Sequence, residues 1–146
     1  MATPEYYFAY GSNMDAEQMQ SRIPSARKVG LGVLFDYEIV FNRRGSYRPG
    51  GVASIQAAAE QEVHGVIWAL SLSDLRNLDQ IERPEAYFRS LRIIAGDNQE
   101  HRCYVYEAFP QGEFLPDEDY LELIISAAYS SGLPNEYVSK LECFRA

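Results

Sequence analysis

The sequence holds two cysteines, two histidines and one tryptophan in 146 residues. So few thiols exclude a disulfide framework, because small domains that rely on such staples are dense in cysteine. Cys103 and Cys143 read instead as reduced packing residues, which suits a cytoplasmic protein. His64, His101, Cys103 and Cys143 show none of the CxxC, HxxxH or HExxH spacings of a metal centre, so no metal is expected. No apolar run approaches the roughly 20 residues that span a bilayer, and the N-terminus lacks a basic segment followed by an apolar stretch and a cleavage site. Neither membrane nor export is expected. Basic residues are in deficit as well. The 13 Lys and Arg against 21 Asp and Glu give a net charge of −8, which opposes attraction to phosphate backbones and argues against nucleic acid as a partner. Phosphate-cradling glycine loops and a GxSxG elbow are also missing, so neither a cofactor nor a serine nucleophile is expected.

What is present is the composition of an ordinary folded protein, with 47% hydrophobic and 23% charged residues. The length suits one domain over residues 1–146 and is enough for a core without staples. The unusual abundance is tyrosine, 11 in all. A tyrosine-rich wall packs through its rings and still offers hydroxyls to a small polar ligand.

Along the chain, aromatic residues at 5–9 predict a strand that runs into the turn residues Tyr10-Gly11-Ser12-Asn13. A short helix follows over 15–23, closed by Pro24. Over 27–41 the residues Val29, Leu31, Val33, Phe35 and Tyr37 alternate, then the phase shifts at Ile39, Val40 and Phe41, which predicts one long or bent strand. Residues 42–51 read as a basic, glycine-rich loop carrying Arg43, Arg44 and Arg48. Two strands are expected at 52–57 and 62–70, the second apolar on both faces and therefore central. Ser71 and Ser73 offer N-caps for a helix over 74–82, with Leu75 and Leu78 on one face and Pro84 as the stop. A hairpin of strands 87–95 and 102–108 turns at Gly96-Asp97-Asn98, and helices are expected over 117–131 and, after Gly132, over 134–144. About six mostly consecutive strands with helices inserted at intervals make an α+β protein with a curved or barrel-like sheet.

Two features carry chemistry. Taken by itself, the Tyr10 to Asn13 loop is either a tight turn, with Gly11 at positive φ and Asn13 capping the next helix, or a concave anion site built from successive backbone amides. Glu82 is either a solvated carboxylate closing a helix or a proton acceptor. The negative end of a helix disfavours another anion and so raises such a carboxyl's pKa.

These two features occur together in a pattern that resembles the γ-glutamylcyclotransferase-like proteins. The opening Tyr7-Phe8-Ala9-Tyr10-Gly11-Ser12-Asn13-Met14 is similar to theirs, as is the acidic motif Leu78-Asp79-Gln80-Ile81-Glu82 with Pro84 and Tyr87. Gly51-Val52-Ala53-Ser54-Ile55, Val63-His64-Gly65-Val66-Ile67-Trp68 and Gly132-Leu133-Pro134-Asn135-Glu136-Tyr137 extend the resemblance over nearly the whole chain. It implies a single-domain, small mixed β-barrel with flanking helices. It also implies a cofactor-independent reaction in which the α-amine of a small γ-glutamyl compound attacks its own γ-carbonyl, yielding 5-oxoproline and a free amine or amino acid, in the setting of glutathione metabolism. By motif position Glu82 moves the proton, while Tyr10, Gly11, Ser12 and Asn13 hold the substrate. Tyr87 and Tyr137 are wall candidates, and a monomer or homodimer is expected. A non-catalytic protein binding a carboxylate-bearing molecule, or one that removes a γ-glutamyl protecting group in a biosynthetic pathway, are the alternatives. One departure stands out: Arg83 follows the acid where the family commonly has glycine. Were that position to need φ > 0, Arg83 would be strained; otherwise its charge would lower the Glu82 pKa.

Overall fold

The apolar segment ending at Leu70 becomes the middle of the sheet, in a computed structural model that describes residues 3–45 and 50–145. Strand β3 (Gly51–Leu70) pairs antiparallel on one side with β1 (Glu5–Ala9) and on the other with β2 (Arg27–Arg44). Val63, Val66, Ile67 and Trp68 are accordingly all but inaccessible. The β4 (Tyr87–Ala95) and β5 (Glu100–Ala108) hairpin continues the sheet from β2, and a parallel bridge between Tyr7 and Tyr104 closes the order β1-β3-β2-β4-β5 into a barrel. Helices α1 (Ala16–Arg22), α2 (Leu72–Glu82), α3 (Glu118–Ser131) and α4 (Asn135–Glu142) flank it. This is the α+β mixed barrel expected, with two corrections to its elements.

The strands expected at 52–57 and 62–70 are one. Their partner β2 stays the same throughout, so the surplus residues between Ala57 and Glu62 bulge outward opposite Asp36 instead of turning the chain. Asp36 and Glu60 both take φ 66, and the Glu60 amide donates to Asp36 Oδ1 at 3.0 Å. That bulge also exchanges the faces of β2: Leu34 is buried before it and Ile39 and Phe41 after it, so Val29 and Phe35 of the expected alternating set are exposed instead of facing the core. The basic loop is shorter than expected, because β2 stays paired as far as Arg44, opposite Gly51. Arg48 lies outside the described residues. Cys103 is buried as expected, its thiol pushed up to about 12 by desolvation, whereas Cys143, expected to pack as well, is exposed at the end of α4, its thiol donating to the Ser139 carbonyl at 3.5 Å.

Several local rules place the end of the barrel that matters. Ser71 caps α2 by accepting the Asp74 amide, and Leu75 and Leu78 are fully buried on its inner face. Helical spacing then puts Glu82 on the same face, one turn beyond Leu78. Gly65 lets β1 come close: a Cβ there would sit 2.3 Å from the Ala9 carbonyl oxygen, so only glycine admits the chain where it leaves the barrel toward Tyr10.

Candidate active site

The C-terminal ends of β1 and β5 and the start of β4 lie at one end of the barrel, where α2 also delivers its last residue. There Asn13 Nδ2 donates to Glu82 Oε1 at 3.1 Å across 69 positions of sequence. Asn13 is 3% exposed and every polar group of its side chain is used. Its Oδ1 accepts from Arg22 Nη1 at 3.0 Å and from Gln18 Nε2 at 3.1 Å, while its Nδ2 also donates to the Tyr7 hydroxyl at 3.1 Å. Trp68 Nε1 donates to its backbone carbonyl at 3.1 Å. This network decides the amide's orientation. Flipped, Asn13 would present its oxygen to a carboxylate and its NH2 group to a guanidinium.

The Gly11, Ser12 and Asn13 loop and the Glu82 carboxylate line one pocket of about 340 Å³, counted with its open mouth. Its walls are phenolic: Tyr7, Tyr10, Tyr87, Tyr106 and Tyr120. Their hydroxyls are pinned to the frame. Tyr10 donates to the Tyr106 carbonyl, Tyr87 donates to the Ala53 carbonyl at 2.8 Å, and Tyr120 accepts the Ala53 amide at 3.1 Å. Tyr106 donates to Asp79 Oδ1 at 2.6 Å. Burial holds the phenols of Tyr7, Tyr10, Tyr87 and Tyr106 well above their usual range, so they act as neutral hydroxyls.

Glu82 has no ion-pair partner among the described residues. Its pKa is raised above the usual carboxylate value because burial disfavours the charged form, and the Arg22 charge and the Asn13 hydrogen bond only partly offset this. The direction matches the helix-end argument from sequence, but the dominant cause is desolvation. The arrangement provides a buried base with an elevated proton affinity, oriented by one fixed amide, facing a loop whose 3-10 turn (Ser12–Met14) has no side-chain cap.

The sequence and the fold are shared with known proteins. Residues 62–141 match the model of the AIG2-like family, a stretch that contains Glu82 and Tyr87. The chain is 32% identical over 143 residues to the γ-glutamylcyclotransferase of Homo sapiens, covering 93% of this chain and 76% of that protein. It is also 32% identical over 142 residues to that of Bos taurus, with 92% and 76% covered. A solved γ-glutamyl cyclotransferase superposes with a TM-score of 0.93 at 29% identity, covering 98% of this chain and 89% of that one. The chain belongs to the AIG2-like, γ-glutamylcyclotransferase family.

In this family member the pocket gathers Tyr10, Gly11, Ser12, Asn13, Glu82 and Tyr87, and leaves out Tyr137. Tyr137 sits on α4, buried against the His64 ring at 4.7 Å, where it fills the core under the helix pair. Gly11 has φ −116, not the positive value a tight turn would have required, and Asp15 rather than Asn13 caps α1 by accepting the Gln18 amide. Sequence reasoning missed Tyr7, Tyr106, Tyr120, Ala53 and Arg22 at or beside the site; the only signal for the phenols was the count of 11 tyrosines.

Arg83 takes φ 68, the left-handed region that glycine suits, at a cost on the order of 1–2 kcal/mol for another residue. The turn is nevertheless intact. The Arg83 carbonyl accepts the amides of Ala86 at 2.8 Å and Tyr87 at 3.0 Å, which steers the chain from α2 into β4 and sets Tyr87 beside Glu82. The Arg83 guanidinium pairs with Glu85 at 2.8 Å, and the cation that acts on Glu82 is Arg22.

Proposed function

We propose that the chain is a γ-glutamylcyclotransferase in which Glu82 is the general base and general acid. The substrate's γ-glutamyl group folds so that its α-nitrogen faces its own γ-carbonyl carbon; holding that near-attack geometry supplies much of the acceleration. The ionised Glu82 takes a proton from the α-ammonium. The freed amine forms the new C–N bond of the five-membered lactam, and the original amide C–N bond breaks. Protonated Glu82 gives its proton to the departing nitrogen as that bond breaks. The regenerated carboxylate takes the second proton that the ring nitrogen sheds and passes it to the freed amine, so 5-oxoproline and an ammonium leave and Glu82 is again ionised. The Gly11, Ser12 and Asn13 loop holds the α-carboxylate or the developing oxyanion, and the neutral phenols of Tyr10 and Tyr87 border the glutamyl chain.

The observation that carries this reading is the hydrogen bond from Asn13 to Glu82, because it puts the two halves of the sequence pattern into a single pocket with an elevated base. The test is release of 5-oxoproline from a panel of γ-glutamyl amino acids and γ-glutamyl amines. Release from at least one supports the enzyme. Binding without release across the panel would instead favour a non-catalytic carboxylate-binding protein.

A further inference from the structure

The inner pocket opens outward into a second depression, and Ser12, Glu82, Tyr87 and Tyr120 line both. A compound whose γ-glutamyl half fills the inner pocket and whose reacting amide lies at Glu82 must therefore send its departing half into the outer one. The chemistry of that outer wall is unlike the rest of the molecule. On a chain with a net charge of −8, it carries Arg22, Arg43, Arg44 and Arg83, and Glu82 is the only acid among its lining residues. Arg83 is offset by Glu85 and Arg22 is turned to Asn13. Arg43 and Arg44 form no ion pair with any described carboxylate.

Both arginines line this depression from the end of β2, just past an extra residue between Val40 and Arg43 that shifts the strand's register against β3. Each arginine is also braced. Arg43 Nη1 donates to the Phe109 carbonyl at 3.1 Å, and the Arg44 guanidinium lies over the Phe114 ring at 5.4 Å while its amide donates to Gln111 Oε1 at 3.0 Å. A guanidinium held in this way keeps donors for the planar, two-point grip on a carboxylate.

We propose that Arg43 and Arg44 form a subsite for the departing half of the substrate, and that it selects leaving groups with two negative charges, an acidic amino acid or short acidic peptide, over those with one or none. The inference rests on the γ-glutamylcyclotransferase reading. The γ-glutamyl half is itself a zwitterion with no net charge at neutral pH, so the leaving group alone decides what the arginines see.

The test compares γ-glutamyl-glutamate, γ-glutamyl-alanine and γ-glutamyl-ethylamide as substrates at low and high salt. The expected kcat/KM falls in that order by roughly 2- to 5-fold per lost charge, as for solvent-facing ion pairs, and the differences sit in KM and shrink as salt is added. In the double variant Arg43→Gln/Arg44→Gln the dianionic substrate should lose about 5- to 10-fold while the ethylamide stays within about twofold, which also reports that the variant is folded. A parent that treats all three alike, or a double variant that loses equally on all three, overturns the subsite. Should no compound release 5-oxoproline, the cyclotransferase reading falls, and calorimetry of γ-glutamyl-glutamate against γ-glutamyl-ethylamide on the parent and the double variant decides the subsite separately. Tighter binding of the dianion that is lost with the arginines supports it; equal binding overturns it.

Discussion

Two carboxylates stand one helical turn apart at the end of α2, and their surroundings could hardly differ more. Asp79 accepts a hydrogen bond from Tyr106 at 2.6 Å and pairs with Arg89 at 3.2 Å, with both charged side chains 27% exposed. Glu82 is held by an uncharged amide, has no ion-pair partner among the described residues, and is raised in pKa by burial. A carboxylate with its own cation is a fastening for the barrel wall. One denied a cation and stripped of water is poised to take a proton. The same helix supplies both because consecutive turns face different walls of the site.

The largest effect expected from this contrast is on turnover. Glu82→Gln keeps the side chain's size but accepts no proton, so 5-oxoproline release should fall by about 10²- to 10⁴-fold. Asp79→Asn should stay within about tenfold of the parent, since its role is to brace Tyr106 and Arg89. Equal losses in the two variants, measured as kcat under saturating substrate, would erase the distinction between them.

Next in size is Asn13→Ala. It removes the hydrogen bond that orients Glu82 among the described residues and leaves the Tyr7 hydroxyl without its amide donor, and turnover should drop by roughly 10- to 100-fold through misplacement of the base. If kcat is unchanged while the protein remains folded by circular dichroism, Asn13 is not what positions Glu82.

A smaller effect concerns pH. Arg22 holds the Glu82 pKa down against burial, so Arg22→Gln should raise it and move the acidic limb of kcat/KM to higher pH. Arg83→Gly, by contrast, should leave that limb where it is, because the Arg83 guanidinium is engaged with Glu85. It should also stabilise the fold by about 1 kcal/mol by relieving a left-handed arginine. Rate profiles of the two variants in parallel would reverse this assignment if the limb moved with Arg83 and stayed with Arg22.

The smallest effects are on stability, and they should have opposite signs. Asp79→Asn breaks a half-exposed pair and should cost about 1 kcal/mol in urea unfolding. For Glu82 the folded pKa lies above the unfolded one, so the native state binds the proton more tightly. Its contribution is present below the ordinary value of 4.5 and is lost as pH rises through the folded pKa. Glu82→Gln should therefore match the parent in acid and become the more stable of the two toward neutral pH. A variant that is least stable at neutral pH would show that the ionised Glu82 is stabilising the fold.

How much of this was readable along the chain follows from the range of each interaction. The Ser71 cap, the left-handed Gly132 ending α3 and the spacing of Leu75, Leu78 and Glu82 are all set within a few residues. An acid at the negative end of a helix was thus visible as an anomaly before any fold was known. The division of β3 into two strands was misread because the residues between Ala57 and Glu62 look the same whether they turn or bulge. Only the continuous partner β2 distinguishes the two outcomes.

The sequence by itself therefore determined most of the elements and the acid that ends α2, since steric and periodic rules act locally. Closing the barrel decided everything about who meets Glu82. It brought Asn13 across 69 positions, ringed the pocket with tyrosines from separate elements, set Arg22 rather than Arg83 as the effective cation, and sent Tyr137 to the core. The physical reason is that desolvation and charge depend on what lies across space from a group, which neighbours in sequence do not specify.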